Sequence, residues 1–141
     1  MNPKVILALI VIGTLVSCEP PQPESQPAQE QVSAIRKGMI KVTIMYPSSD
    51  TSRFDMDYYS TKHMPMVARL LGDSLKTLGI DKGIAGGAPD APLPYMAIGY
   101  LYFDRLSAYQ NSIAPHVDEI RSDFPNYTNV RPVILVSEVI E

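Results

Sequence analysis

The stretch Tyr95-Met96-Ala97-Ile98-Gly99-Tyr100-Leu101-Tyr102-Phe103, together with the later Pro132-Val133-Ile134-Leu135-Val136-Ser137-Glu138-Val139-Ile140, decides the fold. Both runs are rich in β-branched and aromatic residues and read as strands. Upstream, Ile40, Val42, Ile44 and Tyr46 alternate with Lys41, Thr43 and Met45 until Pro47-Ser48-Ser49-Asp50 turns the chain, which makes a further strand. A weaker strand is expected over Leu75 to Ala85. A helical stretch runs from Asp55 to Leu71, with Asp55 as its N-cap. A second runs from about Asp104 to Arg121, where Leu106, Tyr109, Ile113, Val117 and Ile120 keep to one face. The order βαββαβ predicts an α+β, ferredoxin-like protomer: a four-stranded antiparallel sheet with two helices on one face. In the last two strands both faces carry apolar side chains. Two short helices cover one face only, so the other is expected to meet a second copy in a homodimer.

The chain has 141 residues, room for one ordinary domain, with formal net charge −3, thirteen prolines, one Cys and two His. With twelve Lys+Arg against fifteen Asp+Glu there is no basic surplus for a phosphate backbone, so nucleic acid is not expected as a partner. A single Cys excludes an internal disulfide framework and a multi-Cys zinc cage. After the positive start Met1 to Lys4, the apolar run Val5 to Val16 is shorter than the about 20 residues of a spanning helix. It reads as the core of a secretory signal. Leu15-Val16-Ser17-Cys18 follows and resembles a bacterial lipobox, in which the signal is cut before an acylated cysteine. An ordinary signal peptide with an incidental cysteine is the alternative. Residues 1–17 are thus expected to be a signal peptide, and the lipobox reading makes Cys18 the lipidation site of a protein anchored at the cell envelope. Glu19 to Gly38, with four prolines and few large apolar side chains, is a disordered linker from residue 18 to 38. Its reach is on the order of 60 Å at most. Residues 39–141 form the domain, with nine Lys+Arg against twelve Asp+Glu. The competing reading is that Met39 is the start of an ancestral cytosolic protein to which the leader was added.

Pro65 removes a backbone donor and disfavours helical geometry at Met64, so the first helix is expected to end near His63 and restart. His63 then sits at a helix C-terminus, where the dipole favours imidazolium and burial opposes it. Tyr59 lies one turn earlier on the same face. His63 is read as a general acid/base facing a pocket between broken helix and sheet, with Tyr59 orienting the ligand. The alternative is a half-buried histidine that stabilises the kink. Asn126, Tyr127 and Asn129 precede the last strand and either line the pocket mouth or form a turn. Tyr100 and Tyr102 either line a ligand cavity or fill space behind the sheet. His116, beside Asp118 and Glu119, reads as a surface or dimer-rim residue. Gly83-Ile84-Ala85-Gly86-Gly87 lacks the Lys-Ser/Thr of a phosphate loop. Two histidines 53 positions apart, without carboxylates at ligand spacing, predict no metal site.

Phe54-Asp55-Met56-Asp57-Tyr58-Tyr59 with Lys62-His63-Met64-Pro65, then Gly86-Gly87-Ala88-Pro89, Ala97 to Phe103, and Pro125-Asn126-Tyr127-Thr128-Asn129 together resemble the EthD family. The resemblance spans Met39 to Glu141 and nothing before it. It implies a dimeric α/β barrel, agreeing with the two-faced sheet. It also implies a small hydrophobic or cyclic ligand, no cofactor, and either cofactor-independent acid/base chemistry of a decarboxylase or isomerase kind or a place beside an oxidoreductase in a degradation pathway. The Tyr-x-x-x-His-x-Pro pattern falls on Tyr59, His63 and Pro65. The secretory leader departs from the family's usual cytosolic form. A non-catalytic dimeric ligand-binding protein is the other functional class these residues allow.

Overall fold

β1 (Ile40–Pro47) is the strand around which the rest is arranged, with β3 (Tyr95–Phe103) on one side and β4 (Val133–Glu138) on the other. β2 (Leu75–Lys82) pairs with the far edge of β3, so the antiparallel sheet has the order β2-β3-β1-β4. The structure, a computed structural model, describes residues 35–141; the signal sequence, Cys18 and the linker through residue 34 lie outside the described residues. Residues at the linker's end are attached to the domain. Gly38 N–H donates to the Val139 carbonyl, and Val139 N–H to that of Met39, both at 2.8 Å. Arg36 pairs with Asp104.

The first crossover contains α1 (Met56–Tyr58), a π-helical turn (Tyr59–His63) and α2 (Met64–Leu71). Asp55 caps it as expected, its carboxylate accepting from Tyr58 N–H at 2.9 Å. The helix does not end at His63, which corrects the expectation drawn from Pro65. His63 and Met64 both keep right-handed helical dihedrals, and Met64 N–H reaches back five residues to the Tyr59 carbonyl. The wider turn lets the missing Pro65 donor fall where the α ladder is already interrupted. Thr61 and Ser60 hydroxyls donate to the Asp57 carbonyl at 2.6 and 3.3 Å within the same turn. α2 then stops at Gly72, whose φ of +53° favours a residue without Cβ.

The second crossover is also interrupted. α3 (Leu106–Ile113) and α4 (Val117–Ser122) are separated by a 3₁₀ turn, Ala114–His116, where the single expected helix would have had to pass Pro115. His116 lies in that turn, half-buried. β2 stops at Lys82 rather than Ala85, where the glycine-rich connection begins.

Register assigns the faces. Val42 opposes Leu101, Ile44 opposes Gly99 and Tyr46 opposes Ala97 on the helix side, where Leu101, Phe103, Val67 and Leu71 complete the core. The other face is less uniformly apolar than β3 and β4 alone suggested. Lys41, Thr43, Thr77, Asp81 and Ser137 share it with Met45, Ile98, Tyr100, Tyr102 and Leu135. Lys41 Nζ stands 5.9 Å from the Tyr100 ring centroid. The apolar excess is instead concentrated on β4. Val133, Ile134, Leu135 and Val136 are 49, 56, 53 and 40% exposed, on both faces of an edge strand paired only to β1.

Gly99 is dictated by close approach. A Cβ there would lie 2.3 Å from Tyr59 Oη, so any side chain must displace a buried ring. Gly99→Ala is expected to lower unfolding free energy by about 1–3 kcal/mol in urea denaturation. Combining it with Tyr59→Phe should recover part of the loss, and equal losses with and without the Tyr59 hydroxyl would contradict this packing.

Candidate active site

The elements just described bring six aromatic or imidazole rings together at one end of the helix-side core: Tyr46 from β1, Phe54, Tyr59 and His63 from the first crossover, and Phe124 and Tyr127 from the second. Backbone contacts fix the approach of these two segments. Asp55 N–H donates to the Tyr127 carbonyl at 2.7 Å, Phe54 and Thr128 form an isolated β-bridge, and Asn129 accepts from Arg53 N–H at 2.7 Å.

His63 is 3% exposed, and both its nitrogens are engaged. Nδ1 lies 2.8 Å from Asp123 Oδ2, and Nε2 lies 3.2 Å from Tyr127 Oη, which is itself 2.8 Å from Tyr46 Oη. Chemistry fixes the direction of these bonds for the neutral ring. The carboxylate accepts only, so Nδ1 carries the proton. Nε2 then accepts from Tyr127 O–H, leaving the Tyr127 oxygen to accept from Tyr46 O–H. The result is a directed chain of four side chains from Tyr46 to Asp123. The carboxylate is held on its other oxygen, which accepts from Tyr58 O–H and the Asn126 amide, both at 2.8 Å.

Burial sets the charges. Desolvation holds the His63 imidazole below its ordinary value, against the opposing pull of the Asp123 hydrogen bond and charge. Burial also pushes the Asp123 carboxyl up. Hydrogen bonds from His63, Asn126 and Tyr58 outweigh it, leaving Asp123 below the usual carboxylate range. Desolvation raises Tyr46, Tyr59 and Tyr127, so all three stay neutral. At neutral pH the site therefore holds one anion, a neutral imidazole and neutral phenols.

Tyr46 and His63 open onto a cavity of about 160 Å³ between helices and sheet. Its walls are apolar: Val42, Ile44 and Leu101 from the sheet, Met64 and Val67 from α2, Ile113 and Ile120 from α3 and α4. An apolar cavity of this size accommodates a small cyclic compound. Among the described residues no group of three His, Cys, Asp or Glu side chains comes together as a metal site.

The expected site residues are distributed unevenly around this arrangement. His63 lines the cavity and Tyr127 is its hydrogen-bond partner. Asn126 acts one step away, on the Asp123 carboxylate. Tyr59 stacks on His63, with centroids 5.6 Å apart, but does not bond to it; its hydroxyl is buried with no hydrogen-bond partner, against Gly99. Tyr100 points to the opposite face of the sheet, by its register with Thr43 and Gly79, and is not at this cavity. The helix-end dipole invoked for His63 gives way to Asp123, because the helix continues through the π turn. Sequence reasoning missed Asp123 and Tyr46. Nothing local marks Asp123. Tyr46 carried a signal: a tyrosine on the core side of a strand needs a partner for its hydroxyl.

The class these features define is a ferredoxin-like α+β fold with a ligand-sized cavity on the helix side of its sheet. A family model for the EthD domain matches residues 49–130. The chain is 39% identical to an EthD-like protein from Ralstonia eutropha JMP134, covering 75% of this chain and 96% of that one, with a TM-score of 0.71. An EthD-family protein from Bacillus halodurans C-125 shares the fold at 15% identity and a TM-score of 0.56, covering 72% of this chain and 99% of that one. No curated protein matches. The chain belongs to the EthD family.

The charge assignment has a consequence for stability. The unfolded chain protonates His63 near pH 6.5, whereas the folded one does so only at lower pH. Between those values the unfolded state binds more protons, so stability falls on acidification from pH 7. Asp123 adds a further loss as pH falls through its lowered folded value. Urea denaturation should show stability declining below about pH 6.5, with His63→Gln flattening that limb. A stability that rises on acidification there would contradict a neutral buried His63.

Proposed function

We propose that this EthD-family protein performs cofactor-independent proton transfer on a small hydrophobic or cyclic compound held in the helix-side cavity. The observation that carries this reading is the chain Tyr46–Tyr127–His63–Asp123, which leads from the cavity wall to a half-buried carboxylate. A proton leaving the ligand is accepted by Tyr46 Oη while Tyr46 passes its own to Tyr127 and Tyr127 passes its own to His63 Nε2. Both phenols end neutral and unchanged, and the imidazolium formed is paired with Asp123. The reverse sequence returns the proton to another position on the ligand, which is an isomerisation, or to the carbon left by a departing carboxylate. Every proton in this sequence moves between the ligand and the chain's own side chains.

The test is proton exchange. Solvent deuterium incorporation into a cyclic ketone such as indan-2-one, followed by NMR, should be accelerated by the protein. His63→Gln and Tyr46→Phe are each expected to lose about 10²-fold or more of that acceleration while ketone binding persists. Undiminished exchange in His63→Gln contradicts the assignment. A second reading, a ligand-binding protein without chemistry, draws on the engagement of both His63 nitrogens; binding of the ketone with no acceleration by the wild-type protein would favour it.

The working unit in this proposal is a homodimer. The four exposed apolar residues of β4 support it, since an edge strand so composed invites pairing. Sedimentation equilibrium should give a two-protomer mass, and Leu135→Lys should shift it toward one; a monomer at micromolar concentration contradicts the proposal. The Leu15-Val16-Ser17-Cys18 motif supports placing this dimer at the cell envelope on a lipid attached to Cys18.

A further inference from the structure

The lining of the cavity changes character at its outer end. Arg121, in the last turn of α4, lines both the cavity and the wider opening outside it, and Arg131, just before β4, lines that opening. Phe124, Pro132 and Ile134 are also shared by the two spaces, so the opening, about 410 Å³, adjoins the cavity. No Asp or Glu lines either space. Among the described residues, neither guanidinium has an ion-pair or side-chain hydrogen-bond partner. Asp123, the carboxylate two residues from Arg121, is fully engaged by His63, Tyr58 and Asn126. On a chain of net charge −3, two uncompensated cations at the mouth of an apolar cavity form a local reversal of sign.

We infer that the ligand of this site is an apolar ring compound bearing a carboxylate, with the ring in the cavity and the carboxylate at the mouth between Arg121 and Arg131. This deepens the reading of the cavity as the ligand site and rests on it. An apolar wall holds the ring by burial, and a guanidinium fork matches a carboxylate bidentately. The fixed charges at the mouth orient the ligand, so that its ring end, rather than its anionic end, meets Tyr46 and His63. A neutral ring of the same shape would enter the cavity but lose this orientation.

A matched pair of ligands separates the two claims. Naphthalene-2-carboxylate and the neutral naphthalene-2-carboxamide are titrated calorimetrically into the full-length chain at low salt. The acid should bind about tenfold more tightly than the amide, a preference that shrinks as salt is raised. In Arg121→Gln/Arg131→Gln the preference should fall to less than about threefold while amide binding is unchanged, which also shows that the variant is folded. Equal binding of acid and amide to the wild-type protein, or a preference that survives in the double variant, overturns the inference and leaves the cavity reading standing. Failure of the amide to bind the wild-type protein overturns both.

Discussion

The hydrogen bond between His63 and Asp123 is the contact on which the site depends. It joins two crossover connections that are otherwise remote in sequence, and it places an imidazole where water cannot compensate its charge. A carboxylate drawn partly out of water needs its lone pairs used, and Tyr58, Asn126 and His63 use them. A buried imidazole between that carboxylate and a phenol is tolerable as the neutral tautomer. The same satisfaction of polar groups that lets the core close therefore also fixes the direction of the proton chain.

The backbone serves this contact. The π turn keeps His63 within a continuous helix and turns its ring toward the second crossover, while Pro115 breaks that crossover into two short helices. The lacing of residues 51–55 to residues 127–129 then holds Tyr127 under His63. Interrupted helices of this kind are commonly found at functional sites. Here the interruptions sit at the site itself, and the β1–β3 ladder, regular from Ile40 to Tyr46, lies beneath.

The strands were legible because alternation and β-branched content are local. β3 was expected over Tyr95–Phe103 and is found there, and the order βαββαβ followed from the spacing of such runs. His63 was legible as an unusual residue beside Pro65. What surrounds it was not, because Asp123 lies 60 residues away and enters only when the two crossovers pack. The sequence likewise suggested a helix end at His63, where tertiary packing instead sustains a π turn. The sheet's second face reads as apolar from β3 and β4, while all of its polar members but Ser137 come from β1 and β2. Tyr46 reads as a strand residue, although its side chain lines the cavity and its hydroxyl heads the hydrogen-bond chain to His63.

The protonation state of His63 tests this view of the site most directly. Nitrogen-15 NMR of the imidazole, followed across pH, reports both the tautomer and the titration. A neutral ring protonated on Nδ1 at pH 6.5, giving way to imidazolium only at lower pH, is the predicted result. A ring protonated on Nε2, or one already fully charged at pH 6.5, would contradict the directed chain from Tyr46 to Asp123.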